Sequence, residues 1–93
     1  MRIIGNIEHP ILKITIFKMD NKFSVKFESG LYEQTYKFRS SDAVKGLEDI
    51  QKIVDATFCE EVLQTLNVMH QRKNAAMARA LPQETMTEFE EII

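Results

Sequence analysis

The chain of 93 residues and 10.8 kDa is 44% apolar and 28% charged, with a net charge of −2, the mix of one soluble globular domain with no bias toward any partner. One cysteine, Cys59, excludes an internal disulfide framework, and with two histidines it leaves few soft metal ligands. No run approaches the roughly 18 apolar residues of a membrane helix, and Met1-Arg2-Ile3-Ile4-Gly5-Asn6 lacks the long apolar core of a secretory signal.

In chain order, Ile3-Ile4 and Ile7 flank the turn pair Gly5-Asn6, which leaves either a short extra strand or a hairpin open. Residues 11–39 then alternate with a period of two, the strand signature. Ile11–Met19, Lys22–Glu28 and Leu31–Arg39 are three strands, joined by Asp20-Asn21 and Ser29-Gly30 as two-residue hairpin loops. Loop length sets register. The first loop pairs Ile14 with Phe27, Ile16 with Val25 and Lys13 with Glu28. The second pairs Phe27 with Tyr32, Phe23 with Tyr36 and Lys26 with Glu33. Apolar meets apolar in both, and a one-residue slip destroys every pair. One face should hold Ile14, Ile16, Phe23, Val25, Phe27, Tyr32, Tyr36 and Phe38, leaving Ile11, Phe17 and Met19 on the wet face.

Helical spacing follows. Leu47, Ile50 and Val54 recur at i, i+3 and i+7, with two acids in the first turn. Thr57-Phe58-Cys59-Glu60 matches a capping box, so a second helix is predicted from Phe58 to about Leu81, where Pro82 stops it. Phe58, Val62, Leu66, Met69, Ala76 and Ala80 form its apolar stripe. Gln83–Ile93 repeats the pattern weakly and suits a short third helix or a disordered end. The expected architecture is α+β. A three- or four-stranded antiparallel meander carries a short and a long helix on one face. Residues 1–81 make the domain, and 82–93 an acidic C-terminal tail.

Little in the chain points to catalysis. Cys59 and His70 lie 11 residues apart on one helix, about 16 Å of rise, too far to act as a pair. There is no Cys-x-x-Cys, no His-x-x-x-His, no calcium loop and no glycine-rich phosphate loop. The chain is therefore expected not to be an enzyme and to use no cofactor, metal or small-molecule substrate.

Charge is uneven along the chain. Residues 69–81 carry three cations and no acid, while 82–93 carry four acids and no cation. Arg72, Lys73 and Arg79, with Met77 beside them and Met86 and Phe89 in the tail, are the candidate interaction residues. A protein partner or a second copy of the chain is the expected ligand. The alternative is weak nucleic-acid binding at the basic end of the helix, where Arg72 and Arg79 align at i, i+7 but Lys73 points elsewhere.

The segment from Phe23 to Ala56, with Gly30-Leu31-Tyr32-Glu33-Gln34-Thr35-Tyr36-Lys37-Phe38-Arg39, Gly46-Leu47 and Ile53-Val54-Asp55-Ala56, resembles small uncharacterised bacterial proteins associated with prophages. The resemblance covers about a third of the chain and includes no functional motif. It implies an assembly or accessory role in the bacterial cytoplasm.

Overall fold

The computed structural model describes residues 1–81. Four strands, β1 (Arg2–Ile7), β2 (Lys13–Met19), β3 (Lys22–Ser29) and β4 (Tyr32–Arg39), precede two helices, α1 (Leu47–Ile53) and α2 (Ala56–Ala80). The strands form one antiparallel sheet in the order β1-β2-β3-β4, so the architecture is the α+β meander expected from the alternation. Chain contacts divide it into two compact units, Met1–Leu63 and one that begins at Gln64.

The open question at the N-terminus resolves as a strand. Gly5 and Asn6 do not turn the chain but pair with Ile16 and Thr15, and a bulge lies between Ile3 and Gly5. A side chain at position 5 would meet Leu47 of α1, whose Cδ1 lies 2.8 Å from where the Cβ would stand. Glycine here lets the short helix lie against the strand. In the link to β2, His9 Nδ1 accepts hydrogen bonds from the backbone N–H of Ile11 and Leu12, each at 3.1 Å. That geometry places any ring hydrogen of the neutral imidazole on Nε2.

The first hairpin has the register expected from its loop. Lys13 stands opposite Glu28, Ile14 opposite Phe27 and Ile16 opposite Val25. The second does not. Ser29 pairs with Tyr32, so the turn is Gly30-Leu31. Phe27 then faces Gln34 rather than Tyr32, Phe23 faces Phe38 rather than Tyr36, and Glu33 faces Glu28 rather than Lys26. The reason lies in the turn backbone. The first central residue of each hairpin takes a positive φ, +51° at Asp20 and +59° at Gly30, and glycine occupies that position without steric cost. Moving the turn by one residue moves the partner by two, so every side chain keeps its face while changing its neighbour.

The inner face carries the core. Ile14, Ile16, Phe23, Val25 and Phe27 are at most 1% exposed. Ile50 and Val54 from the region of α1, and Cys59 and Val62 from α2, are buried with them. Tyr32, Tyr36 and Phe38 on the outermost strand β4 are half-buried. Phe58 anchors the first turns of α2. Its ring stacks on Phe27 at 5.4 Å and meets Tyr36 edge-on at 5.0 Å. Gln34 Nε2 donates to the carbonyl of Val62 at 2.9 Å and Gln34 Oε1 accepts from the Tyr36 hydroxyl at 2.6 Å. A polar side chain on the inner face is thus satisfied between strand and helix.

The start of α2 corrects the predicted cap. The helix begins at Ala56, and Asp55 Oδ1 accepts the N–H of Phe58 at 2.9 Å. Asp55 is therefore the N-cap, three residues before its donor, and Thr57 lies inside the first turn. At α1, Asp49 Oδ2 reaches back to accept the N–H of Lys45 at 2.8 Å, ahead of the side-chain-free cap Gly46.

Candidate interaction surfaces

Two surfaces within the described residues carry chemistry suited to binding. The first is α2 from Gln64 to Ala80. Leu66, Met69, Lys73, Ala76, Met77 and Ala80 share one side of the helix by their spacing. Leu66 is buried, Met69 and Met77 are half-buried, and Lys73 is exposed. Arg72 and Arg79 fall on another side with Val68 and Ala75, and all four are exposed. The structure thus brings Arg72 and Arg79 together and separates Lys73 from them. His70 contacts Asn74 across one turn at 3.1 Å. Of the predicted interaction residues, Met86 and Phe89 lie outside the described residues.

The second surface is the outer face of the sheet. Pairing arranges its side chains in rows across the strands. Met19, Lys22 and Arg39 form one row; Ile3, Phe17, Ser24 and Lys37 the next. A third row holds Asn6, Thr15, Lys26 and Thr35, and the last Lys13, Glu28 and Glu33. The corner built by Lys22, Lys37 and Arg39 is concave, with a volume of about 170 Å³ lined by those three residues. Ser24 beneath them is 5% exposed. Lys26 places its Nζ 5.5 Å from the centre of the Phe17 ring and pairs with Glu28 at 3.5 Å. Sequence alternation marked these cations as outward-facing. Their convergence needed the register, which sets Lys22 opposite Arg39 and Lys37 opposite Ser24.

Among the described residues, the remaining reactive groups do not assemble. The Cys59 thiol is buried and free. Desolvation, and then the nearby Asp55 carboxylate, push it above its ordinary value, the opposite of an activated nucleophile. A larger open depression of about 430 Å³ lies by the link from β1 to β2, with Glu8, His9 and Lys13 among its lining residues. Among the described residues no group of three or more His, Cys, Asp or Glu side chains is placed to hold a metal ion. None of the described helices is long and apolar enough to cross a membrane.

Comparison with family models, curated proteins and solved structures finds no match to this chain.

Proposed function

We propose that this chain is a non-catalytic interaction protein and that the second half of α2 is its contact element, joining it to a second copy of the chain. One observation carries the reading. From Gln64 onward α2 belongs to a unit separate from the sheet, yet it continues as regular helix to Ala80. Its good helix formers, four alanines at 75, 76, 78 and 80 among them, sustain the helix by propensity. Nucleation is supplied by the packed first turns. Small residues at Ala76 and Ala80 allow another backbone to approach closely, and Met69 and Met77 adapt to varied surfaces. Residues 69–81 carry cations and no acid, so the complementary surface is acidic and partly apolar. Residues 82–93, with Glu84, Glu88, Glu90 and Glu91 beside Met86 and Phe89, have that composition. Assembly or accessory proteins of the bacterial cytoplasm act by presenting such surfaces.

Sedimentation equilibrium of the full chain tests this. The expected result is a dimer that dissociates on dilution. Met77→Glu, and separately a chain ending at residue 81, should shift it to monomer while the circular-dichroism spectrum keeps its sheet signal. A full chain that sediments as a monomer at every concentration overturns the self-association.

A further inference from the structure

We propose that the outer face of the sheet is a binding site for single-stranded nucleic acid, with phosphates on Lys22, Lys37 and Arg39 and a base against Phe17. The site is independent of the α2 contact and rests on different residues.

The first support is charge placement. Lys22 and Arg39 are direct cross-strand partners, an arrangement that costs stability when nothing neutralises it. Lys37 closes the corner from the adjoining row. All three are exposed, and no described carboxylate forms an ion pair with any of them. The acids of this face, Glu28 and Glu33, stand in the row farthest from the corner. The cations therefore line their depression of about 170 Å³ with unopposed charge, and an anion of phosphate chemistry supplies the missing counterpart.

The second support is the apolar strip alongside. Ile3 and Phe17 share a row with Ser24 and Lys37, and Met19 shares one with Lys22 and Arg39. Phe17 is half-buried and Ile3 is 61% exposed. Phe17 and Lys37 lie two strands apart, roughly 10 Å at ordinary strand spacing. A surface that offers a ring beside a track of cations matches the way single strands are held without sequence preference, by stacking and backbone neutralisation. The three sheet cations surround a depression rather than project on a helix that could enter a duplex groove, and the short apolar strip offers little to insert into a bilayer.

Fluorescence anisotropy of the full chain with labelled oligothymidylate and oligouridylate, across a salt series, tests the proposal. Binding should weaken with salt. For single strands the slope of log K against log salt is about −0.7 per phosphate contact, so contacts to Lys22, Lys37 and Arg39 give about −2. The double variant Lys22→Gln/Lys37→Gln should reduce that slope by about 1.4, in proportion to the two contacts removed, and lower affinity at least about tenfold at low salt. Phe17→Leu, which keeps apolar bulk, should weaken binding and leave the slope unchanged. Lys52→Gln, at an exposed cation of α1 outside both surfaces, should have no effect, and Arg72→Gln/Arg79→Gln tests the helix as the alternative site. Three results overturn the site: no oligonucleotide binding at low salt, binding lost with Arg72 and Arg79 but not with the sheet cations, or binding only to phosphatidylserine vesicles. Thermal melts of each variant separate a lost contact from a lost fold.

Discussion

Phe58 stacks on Phe27 with ring centroids 5.4 Å apart and planes 26° from parallel, and this contact ties the first turns of α2 to the middle of β3. Phe27 also meets Tyr36 edge-on at 5.7 Å, so three rings from β3, β4 and α2 share one cluster. Phe27→Ala should cost about 3–5 kcal/mol, the range for a fully buried phenylalanine. Phe58→Ala should cost less, because Phe58 is only half-buried. The double mutant should cost less than the two single losses combined, since the rings touch. Urea melts of the four proteins measure the coupling; strict additivity would show that the stack contributes nothing of its own.

The two turns provide a second test. Gly30→Ala forces a side chain into a positive-φ position and should lose about 1–2 kcal/mol. Asp20→Gly should be close to neutral, because relief at φ +51° is offset by the greater freedom of glycine in the unfolded chain. Leu31, 85% exposed, should accept asparagine without loss. A harmless Gly30→Ala in a chemical melt would argue for a turn at Ser29-Gly30 after all.

The cap of α2 makes a third prediction. Asp55→Ala removes the acceptor of the Phe58 N–H and should destabilise by about 1 kcal/mol. Thr57→Ala should not, because Thr57 is a first-turn residue and alanine is the better helix former. Thermal melts that rank the two variants the other way would restore Thr57 as the cap.

Cys59 sets a pH dependence. Burial and Asp55 raise its folded value above the ordinary thiol value of 9.0. Over that interval the unfolded chain has released the proton while the folded chain still holds it. Stability should therefore be unaffected by this group below about pH 9 and fall as pH rises beyond it. Cys59→Ser should remove that part of the alkaline loss. At pH 8 the native thiol should react with a disulfide reagent far more slowly than the unfolded one; equal rates would contradict its burial.

Much of this protein was legible in its sequence because the signals were local. Period-two alternation assigned Ile14, Ile16, Phe23, Val25 and Phe27 to one face, and all five are core residues. The Asp20-Asn21 loop set the first register correctly, and Leu47, Ile50 and Val54 located the short helix. Where two local solutions shared the same parity, pattern alone could not choose. Turns at Ser29-Gly30 and Gly30-Leu31 bury identical residues, and the backbone angle at Gly30 decided between them. The capping-box pattern pointed to Thr57, whereas Asp55, two residues earlier, accepts the Phe58 N–H, and the packing of Phe58 against Phe27 accompanies that earlier cap. Gly5 read as a turn residue because its reason for being glycine, the approach of Leu47, lies 42 positions along the chain. The cations of the outer face show the same limit most clearly. Alternation can say that Lys22, Lys37 and Arg39 point outward, but only the pairing of β3 with β4 brings them into one corner, because proximity across a sheet is a property of register and not of composition.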